Sequence, residues 1–382
     1  MALETNGTLR ETAHDIHRYI GDNLYFSRPD LEIIGNKFNS TLFLTLLTGL
    51  RQGKVLIIGE PGLGKTTSAE YVCSLLYRVP LGTIWGSEVS GHPEQTEEKI
   101  IGRPDLGRLN LGEEVVVWSH FVLLPTKIVD EINRLPETKQ SMILDGVDRG
   151  NWEYLNDSVI NREYCLFATA NYQDGGTNTI IAPLIDRFDI MVESKHPGPN
   201  LAFHIGMTGA NGSGLRNDEL ERGLHRVLNQ RGSYEDRMDQ AEELCNQFGE
   251  ALTQNPGVQT LSRSDRETIR SQMDEIPFDV DANAFLRLVL AELSFCYHYG
   301  QRRFHEGCAD GCHFTSYLCH AVRNCISNRF PSSARTLSQA LAWFLGDKEV
   351  GIEHLRAILP FTLAHRIQWK EETLARREKE SR

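Results

Sequence analysis

A chain of 382 residues with 40% apolar and 24% charged side chains has the balance of a soluble globular protein of two or three domains. Its formal net charge of −12 argues against a general binder of nucleic acid or of anionic membranes, because either role calls for a basic footprint. No apolar run reaches the length of a transmembrane helix, about 18 residues, so no membrane partner is expected. Residues 1–7 lack the basic and apolar regions of an export signal, and the expected location is the cytoplasm. Eight cysteines in such a setting favour reduced thiols or a metal over disulfides.

In chain order, residues 1–40 read as helical segments and turns, broken at Ser27-Arg28-Pro29-Asp30. Residues 39–50 read as a buried helix that Gly53 ends. The apolar β-type run Val55-Leu56-Ile57-Ile58 leads into Gly59-Glu60-Pro61-Gly62-Leu63-Gly64-Lys65-Thr66, which fits G-x-x-x-x-G-K-[ST], and residues 67–77 continue as a helix. Residues 82–86 are expected to form a second strand, and 87–110 an exposed loop with a short helix near 94–100. Residues 113–118 and 121–124 suggest a short hairpin. Lys127-Ile128-Val129-Asp130-Glu131 reads as a strand ending in two carboxylates, and 132–148 as a helix interrupted at Pro136. A hairpin around Asn156-Asp157 and a buried strand over 163–171 follow. Strands alternating with helices predict an α/β fold with a largely parallel sheet, ending near Val192. Residues 193–279 have the texture of linker and helices joined by loops. Helical periodicity returns over 280–299, two or more helices broken near Gly346 fill 335–366, and 370–382 form a charged, frayed end.

Strand, glycine-rich loop and helix is the arrangement of a phosphate-binding loop. The backbone of Gly59, Pro61, Gly62, Leu63 and Gly64, with the helix start at Lys65, Thr66 and Thr67, is expected to wrap the triphosphate of a nucleotide. Lys65 would reach the β- and γ-phosphates and the Thr66 hydroxyl would ligate Mg²⁺. Asp130 and Glu131 fall at the carboxyl end of a predicted parallel strand, the edge where such sheets place ligands. Asp130 is a candidate to hold Mg²⁺, and Glu131 to orient and polarise the water that attacks the γ-phosphate. Asn171, at the end of the next buried strand, supplies a neutral amide that could hold that water or the γ-phosphate without burying a charge. Arg187 is a candidate cation for the γ-phosphate.

Together, Gly59–Thr66, Ile128-Val-Asp-Glu-Ile-Asn-Arg134, Ala168-Thr-Ala-Asn171 and Leu184-Ile-Asp-Arg-Phe188 resemble the AAA+ ATPases of the MoxR family. Ser333-Ala334-Arg335 stands where that family carries a Ser-Pro-Arg-like motif, and Gly346–Val350 with Leu363-Ala-His-Arg366 resemble its closing helices. The resemblance implies an αβα phosphate-loop core with a parallel sheet and a C-terminal α-helical lid, over 1–192 and 280–382, with 193–279 as an insertion or linker. It implies that Asn171 is sensor 1, Arg187 an arginine finger acting on the neighbouring subunit, and Arg335 sensor 2. It further implies a homo-oligomeric ring, a hexamer by the family pattern, and a protein client or adaptor, often one with a von Willebrand factor A domain. Ala334 departs from the family's proline, and 193–279 is longer than its norm.

The cysteines Cys296, Cys308, Cys312 and Cys319 form a further constellation. Cys308-x₃-Cys312 has the spacing of a zinc knuckle pair, and Cys296 with Cys319 would complete four sulfur ligands for Zn²⁺. An iron–sulfur cluster, or reduced thiols buried on lid helices, are the other readings. A cysteine-bearing lid is similar to that of archaeal members of the family. The expected activity is ATP hydrolysis coupled to chaperone-like remodelling or maturation of a protein. The alternatives are a helicase-like nucleic-acid motor or loader, which the acidic balance weighs against, and a nucleotide-gated scaffold, which the intact Lys65, Asp130, Glu131 and Arg187 weigh against.

Overall fold

The computed structural model describes residues 2–161, 163–172, 178–208, 212–230, 233–296, 301–302, 313–314 and 316–380. Helix α1 (Ala2–Tyr19) runs through a π-helical turn (Ile20–Leu24) into a small hairpin, β1 (Leu31–Ile33) and β2 (Asn36–Phe38), where only helices and turns are expected. Helix α2 (Ser40–Arg51) starts where the Asn39 side chain accepts the N–H of Leu42 at 3.0 Å, a cap that stabilises a helix by about 1 kcal/mol. Gln52, rather than Gly53, takes the left-handed position that ends it.

Strand β3 (Lys54–Ile58) and helix α3 (Lys65–Tyr77) flank the glycine-rich loop as expected. The expected strand over 82–86 is instead helix α4 (Leu81–Ser87). Pro80 stands at its N-cap and Leu81 and Ile84, three apart, are buried on one face, so the short apolar run satisfies a helical period. Within 87–110 the expected short helix is α5 (Glu97–Ile100), but the rest is not all loop: it contains β4 (Val89–Ser90), β5 (Gly102–Pro104) and α6 (Leu106–Leu109). The hairpin expected from 113–118 and 121–124 does not form. Strand β6 (Val116–Trp118) pairs antiparallel with β5, and 120–123 close a helical turn, α7 (His120–Leu123), capped by the Ser119 hydroxyl accepting the Val122 N–H.

Strand β7 (Thr126–Asp130), helix α8 (Glu137–Arg149), the hairpin β8 (Asn151–Tyr154) and β9 (Asp157–Ile160) and strand β10 (Cys165–Ala170) fall close to their expected places, and helix α9 (Ala182–Ile185) and strand β11 (Ile190–Glu193), for which no separate element is expected, follow them. The central sheet has the order β11-β3-β10-β7-β4, with every pairing parallel. Alternation along β10 divides the interior: Cys165 and Phe167 face one core with α2 and α3, whereas Leu166, Ala168 and Ala170 face another with α7 and α8. The result is an αβα sandwich whose strands all present their carboxyl ends at one edge.

Four helices follow, α10 (Pro199–Thr208), α11 (Asp218–Leu228), α12 (Tyr234–Gln254) and α13 (Arg263–Glu275). Phe248, Leu252, Ile269 and Met273 of α12 and α13 join the core that holds α2 and α3, so this stretch packs on the sandwich. Helix α14 (Val280–Ser294), the short pair β12 (Phe295–Cys296) and β13 (Gln301–Arg302), and helices α15 (Leu318–Ala321), α16 (Arg329–Leu345), α17 (Ile352–Leu363) and α18 (Glu371–Glu380) complete the chain. The end expected to fray is helical in α18, where Arg376 and Arg377 lie four and three residues before Glu380 and pair with it. Helix α16 belongs to two cores: Leu337, Leu341 and Phe344 pack on the sandwich, and Phe330 and Ala334 pack with Leu293, Leu355 and Leu359 in the helical lid.

Candidate active site

The carboxyl edge of the sheet gathers residues that are far apart in sequence. Gly59 leaves β3 with its N–H on Ala170 O at 3.2 Å and a φ of 149°; a Cβ there would stand 2.7 Å from Ser194 O, so only glycine fits between β10 and the end of β11. Lys65, at the first position of α3, is 6% exposed. Its ammonium donates to Gly59 O at 2.9 Å, Glu60 O at 2.8 Å and Asn171 Oδ1 at 2.8 Å. Burial lowers its pKa, opposed by the nearby charges of Asp130, Glu131 and Glu60. Pro61 and Gly62 are exposed, Leu63, Gly64, Thr66 and Thr67 are half-buried, and the Ser194 hydroxyl donates to Leu63 O at 3.0 Å. The Tyr25 ring closes on Gly64 from the N-terminal segment.

Asp130 Oδ1 accepts two hydroxyls at 2.6 Å, from Thr66 at the start of α3 and from Thr169 on β10. Thr169 also accepts the N–H of Glu131 at 2.9 Å, so one side chain ties both acidic residues to the neighbouring strand. Glu131 sits in the left-handed region, with φ 49° and ψ 48°. One of its carboxylate oxygens accepts the Asn171 amide, and the other pairs with Arg134 Nε at 3.0 Å. Asn133 donates to Asn171 O at 3.0 Å. Asn171 therefore bridges an ammonium and a carboxylate. Strand β4 comes so near that a Cβ on Gly91 would lie 2.0 Å from Glu131 O. Beside it, Glu88 has its pKa pushed up to about 8, by burial first and then by Glu70 and Asp130.

Thr169, Asn133, Arg134, Tyr25, Ser194, Gly91 and Glu88 are neighbours that sequence reasoning missed. Asn133 and Arg134 lay inside the Asp-Glu-Ile-Asn-Arg signature, and Thr169 two residues before Asn171. Tyr25, Ser194, Gly91 and Glu88 gave no local signal, because only the tertiary fold brings them to the edge.

Arg187 lies elsewhere. Its Nε donates to Asp148 Oδ1 at 3.0 Å and its Nη1 to Pro183 O at 3.1 Å, and it shares a surface cleft with Asp145, Arg149 and Trp152. None of its hydrogen bonds among the described residues reaches the phosphate loop of its own chain. Arg335 is exposed on α16 and makes no hydrogen bond or ion pair among the described residues. Among the described residues the buried arginine of the lid is Arg366, which donates to the carbonyls of Asp186, Phe188 and Asp189 at 3.3, 2.7 and 3.0 Å. Of the cysteines, Cys308 and Cys312 lie outside the described residues. Cys296 is half-buried on β12 and Cys319 buried on α15. Among the described residues no group of three or more His, Cys, Asp or Glu side chains could hold a metal ion. Nor is any described helix long and apolar enough to cross a membrane.

Residues 54–188 match the family model for an AAA domain of the dynein-related subfamily, and residues 327–382 match that for the AAA lid domain. The first segment runs from β3 through the phosphate loop, Asp130-Glu131 and Asn171 to Phe188, and the second covers α16 to α18. No curated protein matches the chain. Among solved structures the chain is similar to a 2.00 Å crystal structure of "a putative ATPase" from Cytophaga hutchinsonii, with a TM-score of 0.65 at 16% identity over 98% of this chain and 92% of that one. At that identity the likeness speaks for the fold.

Proposed function

Because this chain is an AAA+ ATPase, with an AAA domain followed by an AAA lid, we propose that it is a ring-forming machine of the MoxR type that couples ATP hydrolysis to remodelling or maturation of a protein client. The observation that carries the hydrolytic part is Asn171 held between Lys65 and Glu131. In that arrangement Lys65 exchanges its carbonyl and amide partners for phosphate oxygens. Glu131, fixed by the Thr169 hydroxyl at its backbone and by Arg134 at its carboxylate, is the base that orients the attacking water. Asn171 senses which phosphate is present because it touches both. A hydroxyl and a carboxylate 2.6 Å apart, Thr66 and Asp130, are a donor set suited to a hard, oxygen-seeking cation. These two residues would hold Mg²⁺, which when bound neutralises charge on the phosphates.

The separation of Arg187 from its own phosphate loop supports its use as a finger on the neighbouring copy, and with it a ring, a hexamer by the family resemblance. Arg335 on α16 is the proposed sensor 2. The proposed division of the chain is a nucleotide-binding core over 1–192, an insertion over 193–279 and a lid over 280–382, the packing of α12 and α13 on the sandwich tying the insertion to the first. The proposed setting is cytoplasmic, and the client or its adaptor a protein such as one with a von Willebrand factor A domain. Zinc at Cys296, Cys308, Cys312 and Cys319 is a separate proposal that rests on the Cys308-x₃-Cys312 spacing, and elemental analysis of the purified protein tests it.

The direct test of the hydrolytic assignment is Glu131→Gln. ATP binding persists while turnover falls by about 100-fold or more, the usual contribution of a positioned base. Turnover near the wild-type rate would remove Glu131 from this role. The same variant, trapped with ATP, is the bait for identifying the client.

A further inference from the structure

The segment that carries Arg187 is clamped from behind by the lid, and the clamp has a rigid part and a loose part. The rigid part is Arg366, 5% exposed, with its guanidinium on three backbone carbonyls of residues 186–189. Ser333 adds a hydroxyl to Asp189 Oδ1 at 2.8 Å, while Asp189 Oδ2 accepts the Lys54 N–H at 2.8 Å. Ser327 donates to Asp186 Oδ1 at 2.6 Å. The loose part is Arg329, in the first turn of α16 and 45% exposed at its side chain. It reaches Asp186 Oδ2 at 3.1 Å and, with its other nitrogen, Asp148 Oδ1 at 3.6 Å. That same Asp148 oxygen accepts Arg187 Nε at 3.0 Å. Two guanidiniums, one from the core and one from the lid, thus compete for a single carboxylate oxygen.

We propose that Arg329 is a positioning residue for Arg187: by sharing Asp148 it sets how tightly the finger is held back from the neighbouring copy's triphosphate. The inference rests on the reading of Arg187 as a finger acting in trans. With Arg329 in place, part of the Asp148 charge is already neutralised and Arg187 leaves it at lower cost. With Arg329 withdrawn, Asp148 holds Arg187 alone and more strongly. The lever is α16 itself. Arg329 and the proposed sensor Arg335 stand six residues apart on this one helix, about 9 Å along its axis. A lid that shifts when Arg335 meets a γ-phosphate also shifts Arg329 on Asp148. The nucleotide in one subunit would in this way adjust the finger that the same subunit offers to the next, a coupling between successive sites of a ring. Exposed ion pairs of this kind are modest in strength, so the adjustment is a few-fold change in rate rather than an on–off gate.

The experiment uses mixed full-length subunits. Lys65→Ala subunits keep their finger but have no working phosphate loop. Arg187→Ala subunits keep the loop but have no finger. Mixed, they hydrolyse ATP only at loops served by a partner's finger. Arg329→Gln is then placed on one partner or the other, each variant first checked by thermal melting. On the finger-donating Lys65→Ala subunit it lowers kcat of the mixture by about two- to fivefold, with KM for ATP little changed. On the Arg187→Ala subunit, which offers no finger, its effect is clearly smaller. Arg329→Lys on the donor, which keeps the charge, recovers most of the rate. Equal falls for the two placements would assign Arg329 to lid folding and overturn the inference. An inactive mixture before Arg329 is touched would instead sink the finger reading, and this inference with it.

Discussion

Asn171 has two obligations: its amide oxygen accepts from Lys65 and its amide nitrogen donates to Glu131. On the proposed function, a bound γ-phosphate would compete for Lys65, and that competition would be felt at the carboxylate through one short side chain. The hydrogen bonds of Thr169 act earlier in the chain of causes, since they hold Asp130 and the Glu131 backbone in register with β10. The strained φ of Glu131 is supported by that bond and by the Arg134 ion pair. Glu88 gives this edge a pH dependence. Its pKa of about 8 in the fold exceeds the ordinary value of 4.5. Between those two values the folded chain keeps a proton that the unfolded chain has released, so stability falls as pH rises through the window. Glu88→Gln removes this slope. Its melting temperature should match wild type near pH 4.5 and exceed it increasingly toward pH 8, and parallel profiles for the two proteins would contradict the assignment.

At the scale of elements, the site depends on how closely β4 lies on β7. Gly91, the residue after β4, donates its N–H to Asp130 O at 2.7 Å, and a Cβ there would meet the Glu131 and Asp130 carbonyls. Gly91→Ala must push the strands apart, and urea denaturation should register a loss of about 1–3 kcal/mol, with turnover reduced as Glu131 moves. Unchanged stability would mean that β4 yields without cost. The signals for β3, the phosphate loop, α3 and Asp130-Glu131 were local, carried by adjacent residues, and so were legible in the sequence. Residues 82–86 were not, because a short apolar run suits either a strand or one face of a helix, and Pro80 with the buried spacing of Leu81 and Ile84 decided for helix. Val116–Trp118 found its strand partner upstream in Gly102–Pro104 rather than in the apolar residues just after it. Ser119, a cap residue before Phe121–Leu124, was the available hint that those residues turn into helix. Tyr25, Ser194, Gly91 and Glu88 were illegible because only the tertiary fold brings them to the edge of the sheet.

At the scale of the molecule, the sandwich and lid share α16, and the lid grips the 186–189 segment through Arg366, Ser327 and Ser333. The same segment carries Arg187, which pairs with Asp148 and makes no hydrogen bond to its own phosphate loop among the described residues. In the proposed ring, a complete site would draw its phosphate loop from one copy and its finger from another. The measurement that tests it most directly is the ATPase rate of Lys65→Ala and Arg187→Ala subunits mixed in varying ratio. Each variant alone should be nearly inactive, and the mixture should show activity that rises to a maximum at intermediate ratios and falls to either side. A rate that stays at the level of the separate variants at every ratio, with mixed assembly verified, would contradict it.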